Sequence, residues 1–169
     1  MCAQSGAAET STMIRIKNVL VPTDFSEPSD VALRYGKAFA EMCGAALHLV
    51  HVLDESALVY PWTSPDGTPV GLGAAREEME NMVKDRLSRI LTDAERQKFS
   101  AHVSTLCGSP FMEIVAYAKA QNIDLIVMGT HGRGPIAHML MGSVAERVVR
   151  KAPCPVLTVR NQEHEFIEP

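Results

Sequence analysis

The stretch IDLIVMGTHGRGPIAHMLMGSVAERVVRK, residues 123 to 151, decides the fold class of this chain. Its first six residues, IDLIVM, form an apolar run that reads as a strand buried on both faces. A segment carrying Gly129, Gly132, Gly134 and Gly142 follows, and it feeds a helix-like stretch, VAERVVRK. Strand, glycine-rich connection and helix in succession are the building unit of a parallel sheet covered by helices. Glycine in such a connection means either a backbone angle that other residues avoid or a close approach of the backbone to something else.

The same unit recurs outward from this segment. KNVLVPT (17 to 23) is a β-branched run closed by Pro22, and DFSEP after it looks like a helix entrance with Ser26 as N-cap and Pro28 in the first turn. Val31, Tyr35, Phe39 and Met42 then recur at helical spacing, and Gly44 supplies the stop. ALHLVHV (46 to 52) is a second strand. A loop from Asp54 to Gly73 follows it, holding Tyr60 and the single tryptophan, Trp62. Met79, Met82, Val83, Leu87, Ile90 and Leu91 mark one face of a long helix whose other face is charged. AHVSTLC (101 to 107) is a third strand, Ser109 and Pro110 open a helix carrying Ile114, Val115 and Ala118, and VLTVR (156 to 160) is the last strand. Five strands alternating with four helices, most strands lacking period-2 polarity, predict an open parallel α/β sheet with right-handed crossovers and helices on both faces.

A chain of 169 residues, 46% hydrophobic and 21% charged, suits one domain, expected over 14 to 161 with short tails (1 to 13 and 162 to 169) on either side. The formal net charge of -4 argues against nucleic acid as a partner, because a basic stripe is what gains from counterion release. Cys2, Cys43, Cys107 and Cys154 show no CxxC spacing and read as small hydrophobes in a reducing compartment, with no zinc site. The N-terminal residues lack a signal-peptide pattern, and no stretch reaches the ~18 apolar residues of a membrane span. A cytoplasmic location without membrane contact is expected.

Ligands of such sheets bind beyond the carboxyl ends of the strands, which is where the glycine segment lies. A Walker loop is excluded: Gly129 and Gly134 have its separation, but Pro135 stands where its lysine would be. What remains is Gly129, two residues, Gly132, nine residues, Gly142 and Ser143. Ser143 with Glu146 has the form of a capping box, which places the free N–H groups of a helix N-terminus beside Gly142 and Ser143, where phosphate binds well. Gly129 and Gly132 would let a second stretch of backbone close on the same anion, with Arg133 as its positive partner. Turn geometry alone also accounts for glycines in a strand-to-helix loop, but nine residues between Gly132 and Gly142 exceed what a tight connection needs. If the first and fourth strands are neighbours, Asp24 faces Gly129 across a crevice and could accept hydrogen bonds from ribose hydroxyls or help hold a metal. It could also serve as an N-terminal helix carboxylate favoured by the dipole, and the two roles are compatible.

VPTDFS, LVHV, LIVMGTHGRG and LMGSVAERVVRKAPCPVLTV, in this order from about Lys17 to Arg160, together resemble the universal stress protein family. The glycine spacing resembles that of its ATP-binding branch. The resemblance implies a sheet in the order 3-2-1-4-5 with ATP in the crevice between strands 1 and 4; Mg²⁺ is expected with it, because the local lysines and arginines are too few to offset the triphosphate charge alone. Matched position by position, Pro22, Thr23 and Asp24 correspond to the first-strand element around ribose and adenine, Val52 to the strand-2 position that meets adenine through its backbone, and Met128 to the position beside base and sugar. Gly129, Gly132, Gly142, Ser143 and Val144 correspond to the positions that wrap the phosphates, while Arg133 and His131 occupy variable places in the motif. The resemblance also implies a homodimer: Pro153 and Pro155 suit an edge strand, and antiparallel pairing with its twin would cover it, with Val156, Leu157 and Val159 near the interface.

Other residues have plainer readings. His131 and His138 read as loop side chains rather than metal ligands, and His48 and His51, three apart on one strand, face opposite sides. The methionines read as core packing, and Trp62 as either part of a lid or a partly buried loop aromatic. Three functions stay open at this level: a nucleotide-dependent regulator in the stress response, a slow ATPase or autophosphorylating enzyme, and a nucleotide-independent dimeric interaction module. For phosphoryl transfer only Ser143 and His131 offer themselves as weak nucleophile candidates, and no catalytic residue is assigned.

Overall fold

A computed structural model describes residues 14 to 54, 72 to 130 and 141 to 160. The five strands are β1 (Asn18–Pro22), β2 (Ala46–Leu53), β3 (His102–Cys107), β4 (Leu125–Gly129) and β5 (Val156–Val159). They pair in parallel as one sheet in the order β3-β2-β1-β4-β5, as the resemblance implied. The helices are α1 (Glu27–Cys43), α2 (Leu72–Ser88), α3 (Asp93–Lys98), α4 (Pro110–Ala120) and α5 (Ser143–Lys151). Among the described residues no helix is long and apolar enough to cross a membrane.

The sheet has a core on each face. Val19, Val21, Leu47, Leu49 and Val127 point to one side, where α1 and α2 supply Ala32, Leu33, Ala40 and Leu87. Leu20, Val50, Ile126 and Met128 point to the other, against Ile114 and Ala118 of α4 and Ala145 and Val148 of α5. Burial of alternate residues on both faces explains why the strands carry no polar alternation. Each large aliphatic side chain fully withdrawn from water contributes about 1.5–3 kcal/mol before entropy is counted.

Helix α1 corrects one expectation. Its buried line is Ser29, Ala32, Leu33, Gly36 and Ala40, whereas Tyr35 and Met42, expected on the inner face, are exposed. Small residues win the inner face because the helix lies tight on the sheet: a Cβ at Gly36 would overlap Val21 Cγ2. Val31 and Phe39 pack at the flank. The stop at Gly44 is as expected, with a left-handed φ of 63° and N–H groups closing onto the last carbonyls of the helix.

The second expected helix is shorter at its end and starts earlier. Leu72 and Gly73, assigned to the loop, lie within α2, and the helix stops at Ser88, so Ile90 and Leu91 pack from a turn rather than from the helix face. Met82 is exposed, as is Met112 on α4, so these methionines are not core packing. The additional helix α3 follows, started by a capping box in which Thr92 Oγ1 accepts from Glu95 N–H at 3.2 Å and Glu95 Oε2 accepts from Thr92 N–H at 2.9 Å.

Candidate functional site

β1 and β4 are neighbours, as the position of Asp24 required, and both connections leave their carboxyl ends into helices on the sheet. β1 and its other neighbour, β2, end at unequal levels. β1 pairs with β2 only as far as Pro22 opposite Val50, while β2 runs on to Leu53. Thr23 N–H donates to Val50 O at 2.8 Å, so the polar backbone groups of Val50 face β1. By the two-residue repeat those of Val52 face the same way, past the end of the shorter strand. The Val52 side chain packs into the core beneath α4.

The loop after β1 is tightly bonded. Thr23 is buried, and its hydroxyl accepts from Phe25 N–H at 3.0 Å and shares a hydrogen bond with Ser29 Oγ at 3.1 Å. Its carbonyl lies 2.7 Å from His51 Nδ1. All three polar groups of Thr23 therefore have protein partners. Asp24 Oδ1 accepts from Ser26 N–H at 3.1 Å and Ser26 Oγ at 2.5 Å. Burial pushes the Asp24 carboxyl towards the protonated form, but hydrogen bonds from Ser26 and Ser29 together outweigh it and hold the group below the usual carboxylate range. Ser26 is the N-cap of α1 by position, yet its side chain turns back to Asp24 instead of capping the helix.

At the end of β4, Met128 is buried and Gly129 has a packing reason of its own: a Cβ there would stand 3.0 Å from Pro28 Cβ and 3.1 Å from the Pro28 carbonyl atoms. The missing side chain lets the first turn of α1 approach β4. Gly132, Arg133 and His131 lie outside the described residues, as do His138, Tyr60 and Trp62. Gly142 N–H donates to Thr130 O at 2.6 Å. This bond pins the start of α5 to the end of β4.

It also moves the cap. Gly142, not Ser143, is the N-cap of α5, and the Ser143–Glu146 capping box does not form; Glu146 instead pairs with Arg150 at 2.9 Å. The first bond of the helix runs from Glu146 N–H to Gly142 O. The N–H groups of Ser143, Val144 and Ala145 are thus the ones the helix itself does not use. Ser143 and Val144 line a cavity of about 390 Å³ together with Asp54, Gly108, Ser109, Pro110, Phe111 and Arg147. The Arg147 guanidinium lies 5.2 Å from the Phe111 ring centre.

Asp54, Phe111 and Arg147 carry no motif that marks them for a site, and Ser109 reads in the sequence only as a helix opener. Arg147 had a signal, since it stands four residues after Ser143 and so shares its helix face. Asp54 and Phe111 had none, because their approach to α5 depends on the order of the strands. Among the described residues, no group of three or more His, Cys, Asp or Glu gathers where it could hold a metal ion.

A family model described as the universal stress protein family matches residues 15 to 160. The chain belongs to the universal stress protein family. Universal stress protein MJ0577 of Methanocaldococcus jannaschii is 33% identical over 159 residues, covering 88% of this chain and 98% of its own. The solved structure of MJ0577 matches with a TM-score of 0.74 at 30% identity, over 89% of this chain and 99% of that one. Universal stress protein UspA from Lactobacillus plantarum matches with a TM-score of 0.66 at 28% identity, over 86% and 99%. The five-stranded sheet and its strand order are thus those of a universal stress protein.

Proposed function

We propose that this universal stress protein binds ATP at the carboxyl end of the sheet and acts as a nucleotide-dependent regulator in the stress response. The observation that carries the reading is the start of α5, pinned to β4 by the Gly142–Thr130 bond with the N–H groups of Ser143, Val144 and Ala145 unused by the helix. Such an N-terminus favours phosphate through both its donors and its dipole. An ionised Asp24 suits ribose hydroxyls, and the backbone of Val52 beyond the end of β1 suits the edge of an adenine. Pro22, Thr23 and Met128 would shape the walls, and Gly132 and Arg133 would close on the phosphates from the intervening segment. Mg²⁺ would take most of its oxygens from the triphosphate and water, which is its habit at nucleotide sites.

The reading includes a twofold dimer. β5 is an edge strand. The Pro155 and Val159 carbonyls accept from Ile126 and Thr130 N–H groups, so by alternation the polar backbone groups of Val156 and Thr158 point outward, where a second copy could pair.

Equilibrium dialysis of the full chain with labelled ATP tests the nucleotide reading, with Gly142→Val as the control. Saturable binding in the wild type, lost in the variant while the circular dichroism spectrum is kept, is the expected result. No saturable binding by the wild type would remove the reading.

A further inference from the structure

Phe25 has a backbone conformation that a bulky residue rarely adopts, a φ of 62°. It sits between the two residues on which the base and ribose contacts depend and the start of α1. Such an outlier persists only where its surroundings over-determine it. Here two other elements hold the ring. The His51 ring stacks on it at 4.5 Å between centroids, with 29° between the planes. The Arg86 guanidinium carbon lies 4.3 Å over the ring centre, and Arg86 Nη2 reaches Phe25 O at 3.5 Å. His51 comes from the part of β2 that outruns β1, and Arg86 from the last turn of α2.

The column is wired to the site on each flank. His51 Nδ1 meets Thr23 O, and Phe25 N–H donates to Thr23 Oγ1, while the next residue, Ser26, supplies both donors to Asp24 Oδ1. Rotating Phe25 out of the stack would release the left-handed turn and with it the orientation of both neighbours. We propose that Phe25, held by the His51 ring and the Arg86 guanidinium, is the positioning residue that sets Thr23 and Asp24 against the nucleotide crevice, with Arg86 acting on the ligand only through it. The proposal rests on the ATP reading above. Arg86 belongs to the helix that follows the segment 55 to 71, so the stack ties that helix to the loop around the ligand.

The test uses the full chain with ATP as the probe and reads two quantities for each variant, the ATP dissociation constant and the hydrogen-exchange rates of the Phe25 and Ser26 amides. Arg86→Met removes the cation and its bond to Phe25 O while leaving the sequence of the loop intact. Phe25→Gly removes the ring at a φ that glycine accepts without strain, and Phe25→Tyr keeps the ring. If the competent loop falls to a minor population, apparent affinity falls by the same factor. The expected result is at least about tenfold weaker ATP binding with faster exchange at both amides in Arg86→Met and Phe25→Gly, and near wild-type values in Phe25→Tyr. Unchanged affinity and exchange in Arg86→Met and Phe25→Gly would overturn the proposal. Weaker binding without faster exchange would overturn it as well, since the effect would not pass through the loop. If the wild type binds no ATP, the nucleotide reading fails and the positioning role for nucleotide fails with it; the exchange rates then show separately whether the column orders the loop.

Discussion

His48 shows what a single buried side chain contributes. It is 3% exposed, its Nδ1 lies 3.0 Å from Tyr117 Oη, and its ring stacks on His102 at 4.6 Å between centroids. Its Nε2 is buried with no hydrogen-bond partner among the described residues. Burial first, and the neighbouring His102 second, pull the imidazole from its ordinary 6.5 down to about 4. The folded protein thus holds the neutral ring while the unfolded chain takes up a proton, so the contribution is complete above pH 6.5 and drains away as the pH falls towards 4. The full loss is on the order of 3 kcal/mol. Urea unfolding at pH 7 and pH 5 should show a drop in midpoint for the wild type that is smaller in His48→Phe; identical drops would assign the acid sensitivity to other groups. That His48 and His51 face opposite sides was legible from strand alternation alone. The partners were not, because Tyr117 is 69 positions away and Phe25, stacked on His51, lies in the loop after β1.

At the scale of elements, two stretches carry the same signature, a Ser or Thr followed three residues later by Glu. Thr92–Glu95 closes into a capping box and Ser143–Glu146 does not. At residue 92 the chain has just left a turn, and both bonds of the box form. At residue 143 the bond from Gly142 N–H to Thr130 O fixes the register one residue earlier, and Ser143 becomes the first residue of the helix. Removing the working cap has a defined cost: Thr92→Ala should lower stability by about 1 kcal/mol. Chemical denaturation measures it, and a change indistinguishable from zero would mean that the link from Lys37 Nζ to Glu95 Oε1 at 2.6 Å holds α3 without the cap. Helix α1 teaches the converse. Its apolar spacing was readable, but the buried line belongs to Ala32, Gly36 and Ala40, because closeness to the sheet, rather than hydrophobicity, selects the inner face.

For the whole molecule, the edge position of β5 bears on assembly. Thr158 N–H points away from β4, so proline there removes no bond within the subunit. Thr158→Pro should therefore turn a dimer into a monomer in light scattering while leaving the far-ultraviolet spectrum unchanged; a wild type that is already monomeric would remove the dimer from the reading. Pro153 and Pro155 had marked this strand as an edge. The sequence by itself determined the five strands, most of the helices and the placing of the glycine segment at a strand's carboxyl end, since each depends on periodicity and punctuation within a few residues. Strand order was implied only by family resemblance. The tertiary structure alone decided that Gly129 makes room for Pro28, that Arg147 shares a cavity with Asp54, and that Arg86 closes on Phe25 from 61 residues away. These are contacts between surfaces, and a contact between distant residues leaves no local pattern: it exists only once the sheet has fixed which helix lies over which strand.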